Sequence, residues 1–93
     1  MAGVRLIIGF EAADAAEADK LVAGMAARCP GVQAEPGCIE FEVFRSALNP
    51  ARYVLLEHWA SQQALDEHLE ANPTPPRNPA VKRTHEHYEY EAS

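Results

Sequence analysis

The amino-acid sequence predicts an α+β domain of β-α-β-β-α-β order, the ferredoxin-like plan in which a four-stranded antiparallel sheet carries helices on one face. Three observations lead there. The stretch from Glu35 to Ser61 holds two apolar-rich runs divided by an Asn49-Pro50 turn, the pattern of a β-hairpin. Two segments of helical periodicity, each preceded by a capping residue, flank that hairpin. Strand-like runs with period-two alternation open the chain at Val4 to Phe10 and close it at His85 to Glu91.

Composition is consistent with this and bounds the function. A chain of 93 residues fits one domain, 1–93, and can bury one core without metal or disulfide staples. Hydrophobic residues at 47% and charged ones at 24% describe a packed chain rather than a disordered one. Fourteen acidic against eight basic side chains leave a net charge of −6, and Lys82-Arg83 is the only basic cluster, so nucleic-acid phosphates and anionic membranes are excluded as partners. The apolar run Leu6 to Phe10, interrupted by Gly9, is far short of a signal-peptide core or a membrane span, and a cytoplasmic protein is expected. Cys29 and Cys38 lie outside any CxxC spacing, each beside a Pro-Gly pair, and are expected as free buried thiols.

Val4, Leu6, Ile8 and Phe10 share one face of the first strand, with Arg5, Ile7 and Gly9 on the other. Asp14 followed by Glu17 reads as a capping box that starts a helix. Its buried stripe is Ala18, Leu21, Val22, Met25 and Ala26, and Pro30-Gly31 is expected to end it. Gly24, inside this helix, reads equally as a close approach to another backbone or as a tolerated flaw.

After the Glu35-Pro36-Gly37 turn, Ile39, Phe41 and Val43 alternate with Glu40 and Glu42, and the first set is expected to face the helices. In the third strand Tyr53, Leu55, Glu57 and Trp59 share a face, expected to look toward a partner subunit. Ser61 caps a second helix to about Glu70, whose inner stripe is Ala64, Leu65, His68 and Leu69. Asn72 to Pro79 holds four prolines and is irregular, with one helical turn predicted from Asn78-Pro79 through Val81. Strands one and three are apolar on both sides, so the uncovered sheet face predicts a two-fold homodimer whose sheets enclose a cavity.

The residues Pro36-Gly37-Cys38, the alternating Ile39 to Arg45, and Tyr53 to Ser61 with Ala64-Leu65 and His68-Leu69 together resemble the antibiotic biosynthesis monooxygenase family. The resemblance covers nearly the whole domain and implies a dimeric α+β barrel. It also implies a monooxygenase that oxidises a small planar aromatic, a quinol or polyketide-like phenol, with dioxygen and no cofactor. By the same resemblance Trp59 and Glu57 match the family's tryptophan and acidic residue at the end of the third strand, and His68 matches the histidine of its "HL" segment. A second histidine of many members is absent, the chain reading Asn72-Pro73-Thr74-Pro75-Pro76-Arg77 there. The haem-degrading branch carries a tryptophan near the place of His68 and a histidine near that of Asn78; this chain has neither, which disfavours haem chemistry.

Such an oxygenase needs a dry pocket and a base. His68 is the candidate base, histidine being the side chain that neighbours most readily tune for proton transfer, with Glu57 as the second catalytic candidate. Trp59, Tyr53 and Leu55 are candidate substrate contacts, Trp59 by stacking and by its indole N–H. Carboxylates of Glu40 and Glu42 are expected beside Glu57 in an acidic cavity lining, with Arg45 or Arg52 neutralising one of them. His85, His87 and Glu89 point to one side of the last strand, but no third ligand is fixed by local spacing and no metal site is assigned. The competing class is a non-catalytic ligand-binding or accessory dimer in which His68 and Trp59 serve packing.

Overall fold

The computed structural model describes residues 2–91. The elements run β1 (Ala2–Glu11), α1 (Ala15–Gln33), β2 (Cys38–Arg45), β3 (Arg52–Trp59), α2 (Gln62–Ala71) and β4 (Lys82–Glu91). The strands form one antiparallel sheet in the order β2-β3-β1-β4. Element order and sheet agree with the sequence prediction.

Both helices start where a polar side chain captures a free backbone amide. Asp14 accepts from Glu17 N at 2.8 Å, and Ser61 accepts from Ala64 N at 3.2 Å. The Glu17 side chain turns to Lys20 at 3.5 Å rather than back to the cap. α1 does not end at Pro30 but continues to Gln33. Pro30 cannot supply the hydrogen bond to the Ala26 carbonyl, yet Cys29 and Val32 on either side of it are buried, and Gln33 Nε2 donates to Phe41 O at 2.8 Å. Those anchors on the core and on β2 offset the missing bond.

Gly24 makes no close approach: a Cβ placed there meets nothing within 4 Å. Gly24→Ala should therefore stabilise the protein by about 1 kcal/mol, read as a raised midpoint in thermal denaturation. Gly37 differs, with φ of 83° and the Ala64 Cβ 2.5 Å from where its own Cβ would stand. This glycine lets the entry to β2 pass directly against α2.

The registers sort the sheet into transverse rows. On the inner face these are Cys38-Trp59-Val4-Glu89, Phe41-Glu57-Leu6-His87, Val43-Leu55-Ile8-His85 and Arg45-Tyr53-Phe10-Arg83. Helices α1 and α2 pack on this face, and the core of Val4, Leu6, Ile8, Cys29, Val32, Phe41, Leu55, Trp59 and Leu65 lies between the layers.

Two expectations about faces are thereby corrected. Tyr53, Leu55, Glu57 and Trp59 face the helices of their own chain, because Glu57 and Leu55 stand opposite Phe41 and Val43. Ile39 leaves that face and is 58% exposed, since a register shift between Cys38 and Glu40 makes it the extra residue of a bulge and brings Cys38 inward in its place.

The outer face carries Arg5, Ile7, Val54, Leu56, His58 and Phe44, with Glu40 and Glu42. Tyr90 lies against Gly3, and its hydroxyl meets His58 Nε2. Burial pushes the His58 imidazole pKa down, with the nearby Arg5 charge adding to the effect and Glu40 opposing it. The predicted helical turn at Asn78 to Val81 is a turn without a helix: Val81 N donates to Asn78 O at 3.1 Å, and Lys82 and Arg83 already belong to β4. Pairing with β1 along Glu11↔Lys82 and Phe10↔Arg83 recruits them.

Candidate functional site

Between the inner sheet face, the two helices and the 73–78 segment lies a cavity of about 510 Å³. That volume is within the roughly 300–1,000 Å³ of small-molecule sites. Its lining comes from residues of this one chain, because β1 and β3 turn their larger apolar face to the helices.

The interior wall is apolar, built from Leu6, Ile8, Phe10, Phe41, Leu55 and Leu65. Tyr53 joins it, stacked on Phe10 with ring centroids 4.9 Å apart and planes 10° from parallel. Burial pushes the Tyr53 phenol pKa up, so its hydroxyl stays neutral at ordinary pH. Tyr53 and Leu55 thus occupy the lining positions the sequence proposes for substrate contact.

Glu57 and His68 both line the cavity and both are nearly buried, at 7% and 6% exposure. The Glu57 carboxylate accepts the indole N–H of Trp59 at 3.0 Å. Trp59 itself is fully buried and does not line the cavity. It stands behind the wall, its ring 4.7 Å from the imidazole of His68, while Phe41 packs 5.7 Å away.

His68 is held by a residue the sequence reading left in a turn. Glu35 Oε1 lies 2.8 Å from His68 Nδ1, and Glu35 Oε2 accepts from Asn72 Nδ2 at 3.3 Å. A carboxylate accepts, so Nδ1 is the ring nitrogen that donates toward Glu35, with Asn72 Nδ2 3.2 Å from the same nitrogen. Asn72 Nδ2 also donates to the His68 carbonyl at 2.9 Å, closing the last turn of α2 onto the same group. Among the described residues Nε2 has no hydrogen-bond partner. A histidine with its far nitrogen anchored by a carboxylate and its near nitrogen free is the arrangement of a general base.

The acidic lining does not form as expected. Glu40 and Glu42 pair with His58 and Leu56 and so point to the outer face. Arg45 and Arg52 do not neutralise Glu57: Arg45 Nη1 meets Asp19 Oδ1 at 2.8 Å, and Arg52 Nε meets Glu11 Oε1 at 3.9 Å. The charged groups at the cavity opening are instead Arg28, Arg77 and Arg83, with His85 beside them. These come from three separate elements, and only the fold shows that they meet.

Among the described residues no group of three or more His, Cys, Asp or Glu is placed to hold a metal ion. His87 Nε2 lies 3.7 Å from Glu89 Oε1 on exposed β4. Cys29 and Cys38 are free thiols, and burial pushes both pKa values up, so neither is an activated nucleophile. No described helix is long and apolar enough to cross a membrane.

Comparison with known proteins agrees with this architecture. A candidate antibiotic biosynthesis monooxygenase from Deinococcus radiodurans is 22% identical, with 97% of this chain and 92% of that one covered at a TM-score of 0.72. A Pseudomonas aeruginosa protein is 18% identical over 99% and 97% of the two chains at a TM-score of 0.78. A heme-degrader from Mycobacterium tuberculosis, solved with two hemes in its active site, is 24% identical over 96% and 94% at a TM-score of 0.62. At these identities the likeness is one of fold. No curated protein matches the chain. The antibiotic biosynthesis monooxygenase sequence profile matches residues 4–87, nearly the whole length, and the chain belongs to that family.

Proposed function

We propose that the protein is a cofactor-independent monooxygenase that oxidises a small planar aromatic, a quinol or polyketide-like phenol, with dioxygen. The observation that carries this reading is His68, held by Glu35 at 2.8 Å, on the lining of a cavity whose inner wall is largely apolar. In the proposed reaction His68 Nε2 takes the phenolic proton, and the electron-rich anion passes one electron to dioxygen. The resulting radical pair forms a C–O bond at a ring carbon that bears hydrogen, ortho or para to the oxygen. Loss of the hydrogen from that carbon breaks the O–O bond: one oxygen atom stays as the new carbonyl and the other leaves as water. Phenol and dioxygen thus yield quinone and water, with the substrate as the only reductant. The Tyr53 and Leu55 wall holds the ring, and Trp59 acts from behind by fixing Glu57, the second candidate base.

The test is dioxygen uptake with a panel of hydroquinones and hydroxylated anthrones. Uptake above the protein-free rate is expected. Uptake that never exceeds it sinks the oxygenase and leaves the ligand-binding reading, which has its own support in the packing of His68 between Trp59 and Phe41.

The working form we propose is a two-fold homodimer in the cytoplasm, paired through the outer sheet faces. Ile7, Val54 and Leu56 are only half-buried there, and Phe44 and Tyr88 are 43% and 50% exposed. Light scattering at micromolar concentration should report twice the mass of the chain. A monomer at that concentration rules the pairing out.

A further inference from the structure

The cavity opening is basic on a chain that is acidic. Of the eight basic side chains, four are engaged by carboxylates: Arg5 with Glu40 at 4.0 Å, Lys20 with Glu17 at 3.5 Å, Arg45 with Asp19 at 2.8 Å and Arg52 with Glu11 at 3.9 Å. The other four, Arg28, Arg77, Lys82 and Arg83, make no ion pair among the described residues, and the three arginines, but not Lys82, line the same cavity. They are exposed, whereas Glu57, Tyr53 and Phe41 at the inner wall are buried, which places the guanidinium groups at the mouth. With 14 acidic residues available, three unpaired arginines gathered from α1, the 73–78 segment and β4 are an arrangement that a ligand anion would complete.

We propose that the site takes its aromatic ligand as a carboxylate, with the ring inside and the carboxylate held at the mouth by Arg28, Arg77 and Arg83. This rests on the reading of the cavity as an aromatic-ligand site, and not on turnover. The polarity of the cavity sets the direction of binding. Glu57 repels an anion from the inner end and accepts a hydroxyl there, while the guanidinium forks match a planar carboxylate at the other end. A phosphate is less well served: phosphate sites are built largely from backbone N–H groups, and Pro73, Pro75, Pro76 and Pro79 remove four of these donors from the segment beside the mouth.

Calorimetric titration of the intact protein with 2-naphthoate, 2-naphthol and 2-naphthyl phosphate at low ionic strength tests this. We expect 2-naphthoate to bind at least about tenfold more tightly than 2-naphthol, the advantage shrinking as salt is raised. Arg28→Gln, Arg77→Gln and Arg83→Gln, each a change of an exposed side chain, should each reduce the naphthoate-to-naphthol ratio and leave 2-naphthol affinity unchanged. Equal affinity for the two, or a preference for naphthoate that survives the triple variant, overturns the proposal. Tighter binding of the phosphate overturns the carboxylate assignment. If none of the three binds, the aromatic-site reading falls and takes this inference with it. Selective naphthoate binding without any oxygen uptake by hydroquinones sinks only the oxygenase.

Discussion

Replacing His68 with glutamine is expected to lower dioxygen uptake by about 10²–10⁴-fold, the usual contribution of a positioned general base. Glutamine has nearly the length of the imidazole and retains hydrogen-bonding capacity toward Glu35, so a loss of activity reports the lost base rather than a collapsed wall. Glu35→Gln should cost less, because it removes the charge that orients His68 Nδ1–H across 2.8 Å but leaves Nε2 in place. Both variants are read with an oxygen electrode at saturating hydroquinone, with the thermal midpoint followed in parallel. Full retention of uptake in His68→Gln transfers the assignment of the base to Glu57, the carboxylate of the inner wall.

The largest effect on stability is expected at Trp59. Trp59→Ala should destabilise the protein by about 3–5 kcal/mol, a large part of what a domain of this size possesses. Trp59 is wholly buried, stands between Cys38 and Val4 in its transverse row, and packs its ring on His68. Removing it opens a cavity in the core and takes the indole donor from the nearly buried Glu57 carboxylate. Trp59→Phe keeps most of the packing and loses only the donor, for a cost of about 1–3 kcal/mol. Urea denaturation followed by circular dichroism separates the two. A loss below about 1 kcal/mol in Trp59→Ala would show that the indole is not the anchor of the core.

The order of elements was legible because caps and periodicity are local. Asp14 and Ser61 begin the two helices as their side-chain chemistry requires, and alternation marks all four strands. Which face of a strand is covered is not local. Alternation shows that Tyr53, Leu55, Glu57 and Trp59 travel together, but only the pairing Phe41↔Glu57 and Val43↔Leu55 puts them under the helices.

The site divides along the same line. Glu57 and His68 were visible as ionisable groups in otherwise apolar patterns, and the cavity holds both. Glu35 is 33 residues from His68 and sits in a turn with no periodicity to flag it. Arg28, Arg77 and Arg83 are equally scattered along the chain. Pro30 was misleading for a different reason: its missing N–H is a local penalty, and the burial of Cys29 and Val32 that outweighs it is tertiary.

The extra residue at Ile39 gives β2 two reading frames. Past it, odd-numbered side chains, Phe41, Val43 and Arg45, point inward, while before it the inward position is the even-numbered Cys38. With Ile39 excised, Cys38, Glu40 and Phe41 would alternate in, out, in against Trp59, His58 and Glu57, an unbroken ladder that keeps every side chain on its present face. Deletion of this exposed residue is therefore expected to straighten β2 without exchanging core for charge. Here the strand carries one residue more than its ladder needs.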